Sequence, residues 1–162
     1  MQFLEDNEIW EWCRERGIAL DKPSRYKRSL PKPYDTTTEK QHIVYAEGKR
    51  SGREASVAAT VSDALGDWEE CLLWITQVGV WPSSEDWPHY YSLRGQHEER
   101  RSLDTAPGHL FVPTERTLLT AFLTAVLENG WDAFVLPAAH GRATFLRAFI
   151  SHDEWVEIQT GR

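Results

Sequence analysis

The densest chemistry in this 162-residue sequence lies in Ser151-His152-Asp153-Glu154-Trp155, where a histidine precedes two carboxylates. That combination suits a general base or a set of metal ligands. In an extended strand, however, adjacent side chains point to opposite faces, so His152 and Asp153 cannot bind one ion together. The residue types favour a turn between two strands, in which Ser151 or Asp153 hydrogen-bonds to its own backbone.

The other histidines leave one enzymatic hypothesis open. His109 precedes the longest predicted helix, and His140 and His152 flank one predicted hairpin, so folding can bring the three together. The sequence does not show whether it does. The alternative function is therefore a small hydrolase or a metal-dependent enzyme that uses His109, His152 and Asp153.

Known catalytic and cofactor motifs are missing from the sequence. It contains no GxSxG, GxGxxG or GxxxxGK[ST] pattern and no HExxH or CxxC spacing. Cys71 lies in an apolar run, which predicts a buried and unreactive thiol, whereas Cys13 lies on the first predicted helix and can be exposed. We therefore expect no cofactor, no bound metal and no catalytic residue in the main hypothesis.

Tryptophan is the most unusual component, with eight in the chain. Large aromatic side chains bury 150–250 Å² each, so core packing is the expectation for Trp74, Trp81 and Trp131. Other aromatics lie beside charges near the ends of predicted elements, and exposed aromatics are enriched in binding hot spots. The residues predicted to face a partner are Trp87, Tyr90, Tyr91, Asp153, Glu154 and Trp155, within the segments 81–91 and 152–155.

Composition and charge exclude several classes of protein. The formal net charge is −7 and the isoelectric point about 5.4, which argues against a nucleic-acid-binding protein. No apolar stretch approaches the ~20 residues of a membrane span, and the acidic start does not fit a signal peptide. Two distant cysteines suit a reducing compartment, so a cytoplasmic location is expected. The length suits one domain.

The charge is unevenly distributed along the chain. Residues 51–162 hold 8 basic and 16 acidic groups, whereas every lysine lies at or before Lys49. The basic residues concentrate between positions 21 and 40, where prolines interrupt any regular element. We divide the chain into an N-terminal helix (1–20), a basic proline-containing arm (21–40) and a single α+β domain (41–162).

Hydrophobic periodicity predicts the elements that position these residues. The clearest is a helix over residues 115–129, whose apolar residues repeat at i, i+3, i+4 and i+7, with Gly130 as its C-terminal cap. Residues 54–61 are predicted as a strand, with a helix over 54–65 as the competing interpretation because alanine is a poor strand former. The other predicted helices cover 7–16 and 85–94, and the other strands cover 42–47, 70–81, 132–137, 143–150 and 155–159.

This order of elements indicates an α+β fold. Long alternation of strands and helices is absent, so we expect a mainly antiparallel sheet with helices packed on one face.

Four segments resemble a set of small uncharacterised bacterial proteins. They are Trp74-Ile75-Thr76-Gln77-Val78-Gly79-Val80-Trp81-Pro82-Ser83-Ser84, Ala106-Pro107-Gly108-His109-Leu110-Phe111, Asn129-Gly130-Trp131-Asp132-Ala133 and Ser151-His152-Asp153-Glu154-Trp155. The resemblance covers residues 68–158. It implies a bacterial origin and four segments that act together, and it assigns no activity and no catalytic residue.

The main functional hypothesis is a non-enzymatic module that binds another protein. Its class would be an adaptor, an immunity-type protein or a regulatory protein that uses an aromatic and acidic face. The uneven charge would steer a complementary partner toward that face. A third hypothesis is a structural subunit of a larger assembly, docked by residues 1–40.

Overall fold

The computed structural model describes residues 1–21, 30–32, 37–44, 52–144 and 146–161. The helices are α1 (Asp6–Glu15), α2 (Arg53–Ala64), α3 (Trp87–Gly95) and α4 (Arg116–Asn129). The strands are β1 (Gln2–Leu4), β2 (Thr37–Val44), β3 (Glu70–Gln77), β4 (Gly108–Phe111), β5 (Asp132–Ala139), β6 (Arg142–Ala143), β7 (Leu146–Ser151) and β8 (Trp155–Gly161). None of the described helices is long and apolar enough to cross a membrane.

One antiparallel sheet contains all eight of these strands. Their order is β1-β4-β3-β5-β7-β8-β2, with β6 attached to β5. In the centre, Leu73 of β3 pairs with His109 of β4 on one side and with Val135 of β5 on the other. The predicted α+β class with an antiparallel sheet is confirmed.

The two faces of the sheet carry separate cores, because side chains alternate along each strand. On β3, Cys71, Leu73 and Ile75 belong to the larger core, which α2, α3 and α4 cover. Leu72 and Trp74 belong to a smaller core on the other face. The prediction that helices pack on one face therefore holds for α2, α3 and α4, whereas α1 covers the opposite face. Its residues in the smaller core are Ile9, Trp12 and Cys13.

α4 forms the centre of the larger core, as its periodicity predicts. It starts one residue later than predicted, after a short 3-10 turn over Pro113–Glu115. It ends at Gly130, whose φ of 60° is the left-handed conformation expected of the predicted cap. Its buried residues are Leu119, Phe122, Leu123, Ala125, Val126, Leu127 and Asn129.

α2 corrects the prediction of a strand over residues 54–61, and the competing helical interpretation is the right one. Three of its buried residues, Val57, Ala58 and Val61, recur at helical spacing. Alanine has the highest helix propensity, which here outweighs the two β-branched valines. The helix packs along α4 and so closes one side of the larger core.

The bounds of several strands differ from the prediction. β3 ends at Gln77 rather than at residue 81, because Gly79 adopts a φ of 77° and turns the chain out of the sheet. β2 starts at Thr37, so the last residues of the predicted irregular arm are extended. β1 is not predicted at all; its three residues pair with β4.

Most of the predicted basic arm, residues 22–29 and 33–36, lies outside the described residues. The piece between them returns to the fold, since Leu20 bridges Pro31 and Leu30 packs against the smaller core. Arg147 Nη1 also donates to the carbonyl oxygen of Lys32. The described part of the arm is therefore anchored.

Both cysteines are buried and free of disulfide bonds. This confirms the prediction for Cys71 and corrects the one for Cys13, which faces the sheet from α1 instead of solvent. Burial raises the pKa of the Cys13 thiol to about 12 and raises that of Cys71 further. Both therefore remain neutral thiols and act as small apolar side chains.

Candidate functional site

Three loops meet at one end of the sheet and build the candidate site. Residues 78–86 follow β3, residues 130–131 precede β5, and residues 152–154 join β7 to β8. The Trp81 indole Nε1 donates to the carbonyl oxygen of His152 across 3.1 Å. Gly130 permits the contact, because a Cβ atom at that position would lie only 3.2 Å from Trp81 Cδ1.

Glu85 ties the first loop to the second. Its Oε1 accepts hydrogen bonds from the backbone N of Gly79 at 2.6 Å and from Trp131 Nε1 at 2.7 Å. Its Oε2 accepts one from Trp87 Nε1 at 2.7 Å. A single carboxylate thus orients two indoles and fixes the path of the loop that carries Trp81.

Asp86 starts α3 at the edge of the site. Its Oδ1 accepts a hydrogen bond from the backbone N of His89 at 2.9 Å, which is an N-cap contact. Its own backbone N donates to Asn129 Oδ1. The cap of α3 is therefore this aspartate, and Ser83 belongs to a short 3-10 turn over Pro82–Ser84.

His152 is held by Asp132, a partner twenty residues earlier in the chain. Asp132 Oδ1 accepts from His152 Nδ1 at 2.8 Å and from the His152 backbone N at 2.7 Å. The Nε2 atom of the same ring lies 3.6 Å from Asp153 Oδ1, so a carboxylate lies near each ring nitrogen. In the described part of the chain, however, no serine or cysteine side chain hydrogen-bonds to His152, so a nucleophile is not paired with it.

A cleft of about 380 Å³ opens between the three loops and the ends of α2 and α4. Trp81 forms one wall and is 52% exposed, which corrects the prediction that it packs in the core. Trp74 and Trp131 are buried as predicted. The other residues around the cleft are Glu54, Leu127, Glu128, Asn129, Gly130, His152 and Glu154.

The aromatic residues predicted to face a partner are placed differently from one another. Tyr91 is 38% exposed and stacks on the half-buried Trp87 with ring centroids 5.8 Å apart. The ring centroid of Trp87 in turn lies 4.7 Å from that of Trp131. Tyr90 is fully buried, so its predicted place on the face is wrong and it supports Trp87 and Trp131 from inside the core.

The turn residues Asp153 and Glu154 are exposed, whereas Trp155 points away from them. Val156 belongs to the larger core, so Trp155 lies on the other face of the sheet. There its ring centroid lies 4.9 Å from that of His42 and 5.5 Å from that of Phe149. The six predicted residues therefore do not form one continuous face.

The histidines do not converge. His140 and His152 lie beyond opposite ends of β5, which at ~3.3 Å per residue places them about 25 Å apart. His109 is fully buried between them. No group of three or more His, Cys, Asp or Glu side chains that could hold a metal ion occurs among the described residues. His152 and Asp153 do lie close together, contrary to the expectation for neighbours in a strand, because both belong to the β7–β8 turn. His109 is buried apart from both, so the alternative site of His109, His152 and Asp153 is not assembled.

His109 belongs instead to a buried polar cluster. Its Nε2 lies 2.7 Å from the Tyr90 hydroxyl, and Arg94 Nη1 donates to the same hydroxyl at 3.0 Å. Arg94 also donates to backbone carbonyl oxygens, including that of Ala106 at 3.1 Å. Burial and the nearby Arg94 guanidinium lower the pKa of His109 to about 3, so its ring stays neutral.

The depressed pKa of His109 predicts a specific pH dependence of stability. In the unfolded chain His109 takes up a proton below pH 6.5, which is the ordinary pKa of histidine. In the folded chain it does so only as the pH approaches 3. This group therefore costs no unfolding free energy above pH 6.5. Below that pH its contribution lowers the unfolding free energy by about 1.4 kcal/mol per pH unit. We expect the unfolding free energy of the wild type to fall about 1–2 kcal/mol more than that of His109→Gln between pH 6.5 and 5.0.

Urea denaturation at these two pH values measures the difference. The carboxyl groups whose pKa values are lowered in the fold, Glu99, Glu115 and Glu157, start from 4.5 and titrate mainly below this window. An equal fall in unfolding free energy for the wild type and for His109→Gln would contradict the lowered pKa of His109.

Segments that carry the resemblance do meet in the structure. Three of them supply Trp81, Gly130 and His152, and Trp81 lies against both of the others. The fourth contributes His109, which reaches the site through Tyr90 and Trp131. Sequence reasoning missed Asp132, Glu54 and Glu128 as site residues, because nothing local marks them.

Comparisons with known proteins add no relative to this picture. No protein-family model matches the chain, and no curated protein or solved structure matches it either. The geometry of the site is accordingly the basis for a functional proposal.

Proposed function

We propose that this chain is a non-enzymatic protein-binding module that engages a partner protein at the cleft beside Trp81. The observation that carries the proposal is the placement of Trp81, half-exposed in a cleft and fixed by its hydrogen bond to His152. Asp153 and Glu154, which follow His152 in the β7–β8 turn, are exposed beside it. An adaptor, an immunity-type protein or a regulatory protein would use such a surface.

A fixed, exposed indole is suited to binding for two reasons. Burying it against a partner removes a large apolar area from water, and tryptophan is the side chain most enriched in hot spots. Because the Nε1 bond and the contact with Gly130 already hold the ring, little side-chain entropy is lost when a partner covers it. The module is thus preorganised at this position.

The His152–Asp132 pair favours a second candidate, a hydrolytic enzyme in which His152 is a general base. Asp132 would orient the imidazole and Nε2 would take a proton from water. Asp153 lies near the same Nε2 atom and competes with that water, which makes this candidate weaker. Hydrolytic turnover that Asp132→Asn and His152→Ala both abolish would support it over the binding module.

The third hypothesis, a subunit docked by residues 1–40, has less support. The apolar side of α1 packs on the protein's own sheet through Ile9 and Trp12, and β1 pairs with β4. These residues are therefore already used within the fold. Two buried free thiols suit a reducing compartment, and we propose that the protein acts in the cytoplasm.

Affinity capture with matched variants tests the proposed function. Wild type, Trp81→Ala and Trp10→Ala are immobilised and exposed to a lysate of the source organism, and retained proteins are identified by mass spectrometry. Trp10 is a fair control because it is 37% exposed on α1, away from the cleft. We expect a partner retained by the wild type and Trp10→Ala and lost with Trp81→Ala. Equal retention by all three would refute the proposal.

A further inference from the structure

Among the described residues, the cleft beside Trp81 is lined by three carboxylates and by no lysine or arginine. The three carboxylates belong to Glu54, Glu128 and Glu154. Within the described ranges, none of these three carboxylates takes part in an ion pair. Glu54 lies in the first turn of α2, where the N-terminal helix dipole favours a carboxylate, whereas Glu128 and Glu154 lie outside that turn. The charge around the cleft is therefore complementary to a cationic ligand.

The end of α4 adds to this potential. The C-terminus of a helix carries a partial negative charge, which basic residues in the last turn normally offset. The last turn of α4 contains no basic residue and instead carries Glu128. Leu127, Asn129 and Gly130 of this terminus also line the cleft, so both the helix dipole and the carboxylate face its interior. The carbonyl oxygens of Val126 and Leu127 already accept hydrogen bonds from the backbone N of Trp131 and Gly130. The Glu128 carboxylate at this helix end therefore contributes most to attracting a cation.

Trp81 supplies the third component of a cation site. The face of an indole attracts an ammonium or guanidinium group within about 6 Å of the ring more strongly than the other aromatic rings do. Trp81 has half of its surface exposed at the cleft. An aromatic wall opposite carboxylates fits an organic cation that has both an apolar stem and a charged head.

We infer that this cleft binds a lysine or arginine side chain presented by a basic segment of the partner protein. The inference rests on the proposed function and names the chemistry of the partner. A metal ion fits less well, because the acidic side chains of the described residues do not converge on a point where one could be held. They come from α2, from α4 and from the β7–β8 turn, and so surround the cleft at a distance from one another. The excess of acidic groups over residues 51–162 would steer such a basic segment toward it.

The test uses two blocked peptides that differ only in charge. The first is acetyl-Gly-Arg-Gly-Arg-Gly-amide and the second replaces both arginines with the neutral isostere citrulline. Each is titrated into ¹⁵N-labelled protein, and the indole N–H resonance of Trp81 is followed, assigned with Trp81→Phe. We expect the arginine peptide to shift this resonance, and to bind at least tenfold more tightly than the citrulline peptide. Raising the salt concentration should weaken its binding.

Variants with matched charge identify the carboxylates responsible. Glu128→Gln combined with Glu154→Gln should weaken binding of the arginine peptide at least tenfold. Asp63→Asn combined with Asp67→Asn removes the same charge from exposed positions near the other end of α2, and should change binding less than twofold. Equal effects of the two double variants would mean that only the net charge matters, which would overturn the inference.

The outcomes separate this inference from the proposed function. If the citrulline peptide binds as well as the arginine peptide, or neither shifts Trp81, while Trp81→Ala still loses the captured partner, then the cleft recognises its partner by other chemistry. The cation inference then fails and the binding module stands. If Trp81→Ala retains the partner and no peptide shifts the resonance, both fail.

Discussion

Replacing Phe122 with alanine should destabilise the protein by about 2–5 kcal/mol. Phe122 is fully buried on α4, and its ring lies 5.8 Å from that of Phe111 and 6.0 Å from that of Tyr90. The substitution removes these contacts and leaves a cavity between α4 and the sheet, which the surrounding side chains cannot close completely. Leu119→Ala should act in the same direction and by a similar amount, since Leu119 is also fully buried in the larger core.

Thermal unfolding measures this effect. For a domain of this size each kcal/mol corresponds to about 2–4 °C, so the midpoint should fall by roughly 4–20 °C. Thr117→Ala is the control, because Thr117 is exposed on the same helix and its loss should matter little. A shift of less than 1 °C in both core variants would disprove the placement of α4.

Replacing Trp81 with alanine should weaken partner binding by at least about thirtyfold. A truncated aromatic hot spot costs at least about 2 kcal/mol, and about 1.4 kcal/mol corresponds to a factor of ten. Stability should change little, because the ring is already half-exposed in the free protein. This separates Trp81 from Trp131, which is fully buried and whose truncation should unfold or strongly destabilise the chain.

Titration calorimetry with the captured partner gives the affinity for each folded variant. Trp10→Ala and Trp155→Ala serve as controls for tryptophans elsewhere, since Trp155 lies on the other face of the sheet. We expect both to bind within threefold of the wild type. A loss caused by Trp155→Ala but not by Trp81→Ala would place the interface on that other face.

The parts of the fold that the sequence predicts well are those in which a local pattern decides the structure. The spacing of Leu119, Phe122, Leu123 and Val126 defines one side of a helix, and Gly130 ends it. The strands β5, β7 and β8 are likewise recognisable because β-branched and aromatic residues recur between turn residues. These segments were assigned correctly to within a few residues.

The errors arise where tertiary contacts or backbone conformation decide. The helix α2 contains two valines that favour a strand, and its packing on α4 stabilises the helical alternative. Trp74 and Trp81 occur in one apolar run, yet the left-handed conformation of Gly79 leaves only Trp74 in the sheet. β1 has only three residues and so shows no periodicity in the sequence. It forms a strand because it pairs with β4.

The candidate site was predictable only in part. Segments 81–91 and 152–155 are marked by aromatics beside polar residues, and the structure places Trp81 and His152 in contact. The partner of His152 is invisible in the sequence, because Asp132 reaches it only through the pairing of β5 with β7. Glu54 and Glu128 resemble ordinary helix surface residues until α2 and α4 are packed side by side.

The most direct test of the central claim, that the cleft beside Trp81 is the partner-binding surface, is amide hydrogen exchange with and without the bound partner. Binding should slow exchange in the three loops around residues 79–86, 130–131 and 152–154 and at the C-terminus of α4. Exchange in α1 and in β2, on the other side and at the far edge of the sheet, should not change. Protection confined to α1 or β2, with the three loops unchanged, would contradict the account.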